Sequence, residues 1–544
     1  MTHYVFISGG VISGLGKGVT AASVALLLQS AGFRVNLVKI DMYLNQDAGT
    51  MNPLEHGEVF VTADGCETDQ DLGHYERFLN RRLSRKNYLT AGQVYARILA
   101  QERALFYDGA CVEVYHHFPA EVVKFLRRAG RGYDFLLVEL GGSVGEYQNI
   151  LFFETIRRWK MRCPNQVWLM HLVYLPLPPS LGEMKTKPAQ QSIAELHRLG
   201  LNPDWLICRG PQAPDQPRRA KLALVSALPQ EDIFAAPDTW PIYRLPLLLL
   251  DQGFLRRFLT KLGLPRRPAR LKSWRQLIGQ VDQLQTQRSI AIVGKYYASG
   301  QFSLADAYIS VVESIKIAAW HQGIKPEIIW VDSEKVEQHG LSALPKKVAG
   351  VVVPGGFGCR GVEGKIATIR WARENKIPFL GLCYGLQLAT VEFARHVAGL
   401  KRAHTTEVDR QTPHPVIDLM PEQEKKLLAR DYGGTMRLGN WPCRLRPRTL
   451  ARRAYRRALI YERHRHRYEV NNRYRARLEQ AGLVIAGTSP DGRLVEIIEL
   501  PASSHPFFVA TQFHPEFTSR FLRPNPLFRA FISACQQNVN YNLT

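Results

Sequence analysis

The stretch FLGLCYGLQLA, residues 379–389, constrains the fold of this chain more than any other. An apolar run beginning at Phe379 ends at Gly381, and apolar residues at helical spacing resume at Leu386. Cys383 lies in the turn between them with a glycine two residues away on either side, which permits a tight strand-to-helix turn. The partial positive charge of a helix N-terminus favours a thiolate. The stretch therefore predicts an α/β unit with a candidate nucleophile, although a small buried core cysteine is the alternative.

Two later stretches supply the partners that a nucleophilic thiol needs. In TQFHPEF, His514 stands two residues before Glu516, so a base and a carboxylate that orients it are close together. VVVPGGFG, residues 351–358, predicts a buried strand ending in a glycine turn whose backbone N–H groups can form an oxyanion hole. With Cys383, these features resemble the class I (triad-type) glutamine amidotransferases.

The first half contains a second strand-to-helix turn of different chemistry. YVFISGG predicts a strand, and the glycine-rich loop that follows carries Lys17 into an apolar helical pattern. Backbone N–H groups and a helix N-terminus can hold phosphates while the lysine supplies a positive charge. The loop is not a standard Walker A motif, because Gly18 stands where a Ser or Thr is usual. A phosphate site is predicted, and a glycine turn in an ordinary βα unit is the alternative.

Acidic residues and lysines of the first half lie near the predicted ends of apolar strands. VNLVKID ends with Lys39 and Asp41, and YDFLLVEL carries Glu139 at its end. Ligands bind at the carboxyl edge of a parallel sheet, and Mg²⁺ prefers one or two carboxylates together with phosphate oxygens. We pair Glu139 with Asp71 as a predicted magnesium site, with surface caps as the alternative. In GEMKTKPAQQS, the lysines and amides of residues 185–191 suit a triphosphate and a pyrimidine edge.

These and further motifs resemble the CTP synthase family along nearly the whole chain. In the first half they are SGLGKG, KID, HGEVFVT, ETDQDLGHYERF, VELGGSVGE and GEMKTKP. In the second half they are GGFGCRGVEGK, GLCYGLQLA, DYGGTMRLG, YERHRHRYEVN and QFHPEF. Members of this family use ATP to phosphorylate O4 of UTP, and ammonia from glutamine displaces that phosphate to give CTP. The resemblance implies Mg²⁺, ATP as co-substrate, GTP as allosteric activator and an ammonia channel.

The resemblance also implies ligand contacts for individual residues of the first half. ATP would be bound by Gly14, Leu15, Gly16, Lys17, Gly18, Val19, Lys39 and Asp71, with the adenine near Pro237, Asp238 and Thr239. Mg²⁺ would be bound by Asp71 and Glu139. UTP and CTP would be bound by Ser13, Glu146, Tyr147, Gln148, Lys185, Thr186, Lys187, Pro188, Ala189, Gln190 and Lys221.

In the second half the resemblance implies a glutaminase site and an effector site. Cys383 would form a glutamyl thioester, and His514 with Glu516 would protonate the leaving ammonia. Glutamine would be held by Gly356, Tyr384, Gly385, Leu386, Gln387, Glu407 and Arg467. A GTP effector site would include Arg360 and Glu363.

The chain departs from the family pattern at several positions. Relatives usually have an acidic residue where Gln148 stands, and the loss of that carboxylate predicts altered feedback inhibition by CTP. Ala189 replaces a common Thr, and Tyr384 replaces a common Leu after the nucleophile. Residues 296–308 are longer than the usual linkage and predict an extra loop.

Composition limits the class of protein. The net charge is +23, but the basic clusters lack the interleaved aromatic residues that single-strand binders use, so we expect solvated faces and no nucleic-acid partner. The eight cysteines are scattered without a C-x-x-C pair, which favours a reducing compartment. No leader and no apolar run of ~18 residues is present, which predicts a cytoplasmic protein without a membrane partner.

The pattern of strands and helices predicts two doubly wound α/β domains with parallel sheets. An N-terminal P-loop-like amidoligase would span 1–266, a basic linker 267–287, and a C-terminal class I glutamine amidotransferase 288–544. By analogy with relatives we expect a homotetramer and filaments.

Three other functions compete with this interpretation. A different P-loop-type glutamine-dependent amidotransferase is disfavoured by YERHRHRYEVN and KTKPAQ. A non-catalytic P-loop scaffold or filament protein has no need of the Cys383, His514 and Glu516 set. A nucleic-acid binder rests on the net charge alone, and a steep salt dependence of DNA binding would favour it.

Overall fold

The computed structural model describes residues 1–12, 14–295, 298–299, 302–303, 305–420, 423 and 434–538. Its first compact unit is Met1–Asp47 with Asp71–Ile278, and its second is Ala48–Gln70 with Gly279–Thr544. Sequence reasoning did not anticipate that residues 48–70 pack with the second unit. A boundary drawn from composition follows chain order, so it does not assign a short internal segment to a distant core.

The described residues form the following elements. The strands are β1 His3–Gly9, β2 Val35–Asp41, β3 Phe60–Val61, β4 Glu67–Thr68, β5 Tyr88–Thr90, β6 Phe135–Leu140, β7 Val167–Tyr174, β8 Trp205–Gly210, β9 Ile233–Pro237, β10 Thr286–Gly294, β11 Ala298–Ser299, β12 Phe302–Ser303, β13 Ile324–Asp332, β14 Gly350–Val353, β15 Phe379–Leu382, β16 His404–Thr405, β17 Pro415–Leu419, β18 Arg437–Leu445, β19 Leu459–His466, β20 Tyr468–Val470, β21 Val484–Thr488, β22 Val495–Glu499 and β23 Phe508–Thr511. The helices are α1 Lys17–Ser30, α2 Pro53–His56, α3 Asp71–Leu79, α4 Ala91–Arg103, α5 Val114–Gly130, α6 Ile150–Arg162, α7 Lys187–Arg198, α8 Gln216–Ser226, α9 Leu245–Asp251, α10 Phe254–Lys261, α11 Lys272–Asp282, α12 Ile309–Trp320, α13 Ser333–His339, α14 Val362–Glu374, α15 Tyr384–His396, α16 Leu450–Tyr455, α17 Asn472–Gln480 and α18 Pro526–Gln537.

The first unit is built on one sheet with the strand order β5-β2-β6-β1-β7-β8-β9. Every pair of neighbouring strands in it is parallel. Every residue of β2 and of β6 is buried, as expected for central strands covered on both faces. The parallel α/β prediction is confirmed for this sheet, and the carboxyl ends of β1, β2 and β6 meet at one edge.

The second unit is built on a mixed sheet with the order β13-β10-β14-β15-β23-β22-β21-β18-β19. The strands from β13 to β23 pair in parallel, whereas those from β23 to β19 pair antiparallel. The α/β class is confirmed, but the expectation of a wholly parallel second sheet is wrong. Residues 489–494 join β21 to β22, too short a connection for a parallel crossover of about a dozen residues.

The segment Ala48–Gln70 is held in the second unit by charged side chains of β19. Arg465 Nε donates to Glu67 Oε1 at 2.7 Å, and Arg463 Nη1 donates to the carbonyl of Val61 at 2.9 Å. These partners are largely buried, and a buried charge stays in a protein interior only when it is paired or hydrogen-bonded. Among the described helices, none is both long and apolar enough to cross a membrane.

Candidate active sites

The predicted phosphate loop of the first unit joins β1 to α1, and hydrogen bonds from two side chains hold it in place. Gly16, at the N-cap of α1, has φ 86°, a left-handed conformation that glycine adopts readily. The Lys17 ammonium is buried and donates to the carbonyl of Gly142. Arg209 Nε donates to the carbonyl of Leu15 at 2.9 Å. Burial and the neighbouring Lys39 ammonium lower the pKa of Lys17.

Asp71 explains why this loop departs from the Walker A pattern at Gly18. A Cβ atom at Gly18 would lie 2.1 Å from Asp71 Oδ1, far inside van der Waals contact. Asp71 is the first residue of α3, so its carboxylate approaches the beginning of α1. The position of the usual Ser or Thr hydroxyl is therefore blocked, and a carboxylate lies beside the loop instead.

Two carboxylates share one ammonium beside the phosphate loop. Lys39 Nζ donates to Glu139 Oε1 at 3.0 Å and also to Asp71. The hydroxyl of Tyr75 donates to the other oxygen of Glu139. Burial, then repulsion from Asp71, raises the pKa of Glu139 to about 7. Asp71 and Glu139 thus converge as the sequence predicts, and their oxygens fit a divalent cation that would relieve their repulsion.

Arg209 connects the phosphate loop to the predicted adenine segment, and sequence reasoning missed it. Besides Leu15, this guanidinium contacts the carbonyl of Pro237 at 3.2 Å and Asp238 Oδ1 at 3.1 Å. The structure therefore brings Pro237, Asp238 and Thr239 toward the loop. An arginine near the end of the apolar strand WLICRG was the available signal, and it is the same signal that drew attention to Lys39 and Glu139.

The loops predicted to bind UTP border α7. A Cβ at Gly10 would lie 1.7 Å from Ser192 Oγ, and one at Gly145 would lie 3.0 Å from the Glu195 side chain. The turns after β1 and β6 therefore both pack on this helix. Ser13, which was predicted to contact UTP, lies outside the described residues.

The predicted UTP residues themselves differ in exposure. Lys185 is paired with Glu183 at 2.6 Å, and Gln190 donates to Thr186 Oγ1 at 2.8 Å. Ala189 is buried. Lys187, Tyr147 and Gln148 are exposed, Pro188 is half-buried, and Glu146 accepts from Ser143 at 2.7 Å. Lys221 is exposed on α8 and has no ion pair among the residues that the structure describes.

In the second unit, Cys383 occupies the turn between β15 and α15 in a strained conformation. Its φ is 52° and its ψ is −99°, a region that a non-glycine residue adopts only where the surroundings enforce it. A Cβ at Gly385 would lie 2.2 Å from the carbonyl of Val353, and one at Gly381 would lie 2.8 Å from Ala510. The glycines that flank the cysteine are thus required by close packing, and Cys383 projects at the start of a helix as predicted.

His514 and Glu516 form a hydrogen-bonded pair beside this turn. His514 Nδ1 lies 2.7 Å from Glu516 Oε1, and the Phe517 ring stacks on the imidazole with centroids 5.1 Å apart. His514 Nε2 is buried without a hydrogen-bond partner in the described part of the chain. Burial alone would lower the pKa of His514, but Glu516 and Cys383 outweigh it and raise that pKa to about 10. An imidazolium that can give a proton to a leaving group is therefore favoured.

A narrow cavity of about 70 Å³ lies at these groups. Cys383, His514 and Glu516 line it together with Gly356, which was predicted to supply oxyanion contacts. The remaining lining residues are Pro53, Glu58, Val59, Ala307, Tyr308, Val311, Pro354, Gly355, Phe357, Arg465 and Phe517. The segment Ala48–Gln70 therefore contributes one wall of the cavity.

Two of the predicted glutamine contacts, Tyr384 and Glu407, meet at Gly358. Glu407 Oε1 accepts from the Gly358 N–H at 2.7 Å, and the Tyr384 hydroxyl donates to the Gly358 carbonyl at 3.0 Å. Burial raises the pKa of Glu407. Gly385, Leu386 and Gln387 are buried in the first turn of α15. Arg467 is buried, and its Nη1 donates to Gln423 Oε1 at 2.7 Å.

Arg360 and Glu363, predicted for a GTP site, have different partners. Arg360 Nε lies 3.3 Å from Glu334 Oε1, whereas Glu363 is paired with Arg395 at 2.8 Å. The predicted extra loop at 296–308 is described only in part. There, Ala298–Ser299 pairs antiparallel with Phe302–Ser303, and residues 296, 297, 300, 301 and 304 lie outside the described residues.

Comparison with known proteins decides the family. A family model described as "CTP synthase N-terminus" matches residues 3–264, and one described as "Glutamine amidotransferase class-I" matches residues 303–534. The CTP synthase of Rubrobacter xylanophilus is 48% identical over 536 residues, which cover 98% of this chain and 95% of the relative. That of Thermococcus gammatolerans is 47% identical over 539 residues, which cover 99% of both. The chain belongs to the CTP synthase family.

A solved structure matches the second half. The glutaminase domain of Trypanosoma brucei CTPS with bound acivicin is 35% identical, with a TM-score of 0.42, and the match covers 46% of this chain and 94% of that one. The family models and the two relatives, which match nearly the whole chain, confirm the resemblance to CTP synthases drawn from the motifs at the level of the family. CTP synthases are glutamine-hydrolysing carbon–nitrogen ligases, so the family pairs a glutaminase with a nucleotide site.

Proposed function

We propose that this chain catalyses the ATP-dependent amination of UTP to CTP with ammonia taken from glutamine. The observation that carries the proposal is the match to CTP synthases over 98% of the chain. Cys383, His514 and Glu516, which line one cavity, supply the groups for the glutaminase half. A glycine-rich loop beside two buried lysines and two carboxylates in the first unit supports the ATP-dependent half. UTP, ATP, glutamine, CTP and GTP are the proposed ligands.

Glutamine hydrolysis follows from the groups around the thiol. The Cys383 sulfur attacks the side-chain carbonyl carbon of glutamine, and the backbone N–H groups at Gly356 stabilise the oxyanion that forms. His514 Nε2 then protonates the leaving nitrogen, so that ammonia departs and a glutamyl thioester remains. Glu516 holds the imidazole through Nδ1 in both steps. Arg467 would grip the α-carboxylate of glutamine, and Glu407 its α-ammonium group.

The first unit supplies the groups for phosphoryl transfer. Lys17 would leave the Gly142 carbonyl for the ATP phosphates, and Lys39 would stabilise the negative charge that develops on the transferred group. Asp71 and Glu139 would hold Mg²⁺, which when bound neutralises charge on the phosphates. The product of this step would be UTP phosphorylated at O4, and ammonia would displace that phosphate.

Ammonia must reach its acceptor unprotonated. Bulk water would protonate it, so a confined path is needed. The cavity at Cys383 is narrow, and apolar side chains such as Val59, Val311 and Phe517 form part of its lining. We propose that ammonia leaves the thiol along the wall formed by the segment Ala48–Gln70, as the start of an ammonia channel.

A homotetramer and filaments are proposed by analogy with relatives. GTP activation through Arg360 and Glu363 is proposed by the same analogy. Gln148 is exposed beside a cavity of about 720 Å³, which leaves it available to CTP.

The proposal is tested by assays in which each substrate or Mg²⁺ is left out in turn. The purified protein is incubated with UTP, ATP, Mg²⁺ and glutamine, and CTP is separated and quantified. We expect CTP only when all four are present, and ammonium chloride should replace glutamine. CTP formation without ATP, or glutamine hydrolysis without any CTP at saturating UTP and ATP, would contradict the proposal.

A further inference from the structure

Gln512 lies in the loop between β23 and His514, and its side chain reaches the nucleophile. Gln512 Nε2 lies 3.7 Å from Cys383 Sγ, and the side chain is buried. The same sulfur lies 3.6 Å from the carbonyl of Arg465. A carbonyl accepts from a thiol, whereas an amide N–H donates to a thiolate, so these two contacts favour opposite protonation states of the sulfur.

The orientation of the Gln512 amide is determined by a chain of hydrogen bonds. The carbonyl of Tyr468 can only accept, so the Gln387 atom 2.9 Å from it is the amide nitrogen. The same nitrogen lies 3.4 Å from Gln512 Oε1. The oxygen of Gln512 is therefore directed to Gln387, and its NH₂ group is directed to Cys383.

The far end of this chain is fixed in the core of the second unit. The Tyr468 carbonyl also accepts from His466 Nδ1 at 3.0 Å, and His466 Nε2 lies 3.0 Å from His464 Nδ1. Burial lowers the pKa of both histidines well below its usual value, so both rings are neutral. His466 donates through Nδ1, and therefore its Nε2 accepts from His464. The direction of each bond is thus the same from His464 to Tyr468.

The backbone of Gln512 is anchored independently. Its N–H donates to the carbonyl of Glu496 at 2.8 Å, and the Glu496 carboxylate is paired with the buried Arg437 at 2.8 Å. With the side chain held by Gln387, Gln512 has little freedom to turn its N–H away from the sulfur.

We propose that Gln512 is a further catalytic residue, whose amide N–H stabilises the Cys383 thiolate, and that Gln387 is the positioning residue that aims it. His514 lines the cavity and gives its proton to the leaving nitrogen, so the imidazole changes charge during the reaction. Gln512 takes no part in proton transfer, so its amide N–H can remain bonded to the sulfur throughout the reaction. This inference rests on the proposed role of Cys383 as nucleophile but does not require that UTP be the acceptor.

The test is the pH dependence of Cys383 alkylation by iodoacetamide, followed on the Cys383 peptide by mass spectrometry. Gln512→Met keeps the length of the side chain and removes the donor. We expect its alkylation profile to move to higher pH by about one unit, which corresponds to the loss of one hydrogen bond to a charged group. Glutamine hydrolysis should lose about tenfold in kcat with little change in KM. Gln387→Met should shift the profile in the same direction by less.

The matched control is Thr390→Val on α15, which removes a buried hydroxyl that donates to the Leu386 carbonyl of its own helix at 3.0 Å. Its alkylation profile should equal that of the parent. A Gln512→Met profile that superimposes on the parent would overturn the proposal. If that variant does not fold, as judged by thermal unfolding, Gln512→Asn withdraws the N–H from the sulfur, and the same shift is expected. Failure of CTP formation with a shifted alkylation profile would refute the proposed function and leave this inference standing.

Discussion

Two strand-to-helix turns, one at Lys17 and one at Cys383, share a backbone geometry. They differ in whether the side chains around them are already arranged for the proposed chemistry. Each follows a central strand and opens a helix at a position with positive φ, Gly16 in the first and Cys383 in the second. At the thiol turn, His514 is already bonded to Glu516, and Gln512 is already on the sulfur. The thiol site is therefore preorganised by atoms of the chain itself.

At the turn with Lys17, oxygen atoms of the protein bind the lysines that a phosphate ligand would otherwise contact. Lys17 is bonded to a backbone carbonyl, and Lys39 is shared between Asp71 and Glu139. Burial lowers the pKa of Lys17 and raises that of Glu139 to about 7, so both charged forms are disfavoured before a ligand arrives. The thiol site is thus assembled from side chains alone, whereas the proposed phosphate site would be completed only when its substrate binds.

The largest expected effect is that of Cys383→Ala, which should separate glutamine hydrolysis from the amination of UTP. Because the thiol is the proposed nucleophile, glutamine-dependent CTP formation should fall by more than about a thousandfold. CTP formation from ammonium chloride should be unchanged, since the phosphate turn is intact. Loss of both activities in a folded variant would contradict two separately completed sites.

Lys17→Ala should produce the converse pattern. Removal of the buried ammonium should lower CTP formation from either nitrogen source by about a hundredfold or more, because charge on the transferred phosphoryl group is no longer stabilised. Glutamine hydrolysis should persist. Lys86→Ala, at an exposed lysine of the same unit, is the control and should leave both activities at the parental level. If Lys17→Ala lowered glutamine hydrolysis as much as it lowers CTP formation, the two sites would not be independent.

Glu516→Gln probes the preorganised pair through pH. Glu516 raises the pKa of His514, so its neutralisation should lower that pKa from about 10 toward its usual range. The imidazolium is then lost at lower pH, and the alkaline limb of the glutaminase pH profile should move down by a unit or more. The ammonia-dependent rate serves as the internal control. An unmoved alkaline limb would show that Glu516 does not set the charge of His514.

The remaining effect is on stability alone, and it concerns the buried Lys365 of the second unit. Its side chain is fully buried, Nζ has no hydrogen-bond partner among the described residues, and burial lowers its pKa to about 7. The unfolded chain holds the proton more tightly, so Lys365 destabilises the fold increasingly as pH falls from its ordinary pKa to about 7.

Lys365→Met should therefore raise the free energy of unfolding by about 3 kcal/mol at pH 6, and by less at pH 9. Thermal unfolding of this variant at both pH values measures the difference. Lys335→Met, at an exposed lysine of α13, should change stability little at either pH. A loss of stability in Lys365→Met at pH 6 would mean that the ammonium has a stabilising partner.

Much of the fold and of the thiol site could be predicted because the signals are local. The Cys383 turn is encoded by two glycines and an apolar run, and His514 with Glu516 lies within three residues of sequence. The convergence of Asp71 and Glu139 could be predicted because strand ends of a parallel sheet share one edge.

The rest depended on contacts between residues far apart in the chain. The antiparallel half of the second sheet follows from short connections, of which the Pro-Asp-Gly turn at 490–492 was a visible but unused signal. Arg209 and Gln512 act through partners remote in sequence, and no periodicity marks them. The packing of Ala48–Gln70 with the second unit has no compositional signature either.

The same segment has a consequence for the colloidal behaviour of the protein. β19 is the outermost strand of the mixed sheet, and an uncovered outer strand offers unpaired backbone groups to any other polypeptide. Arg463 and Arg465 of this strand bind the segment Ala48–Gln70. The segment that lines the thiol cavity is thus also bound to the edge strand of the sheet, where it would hinder the attachment of a foreign strand.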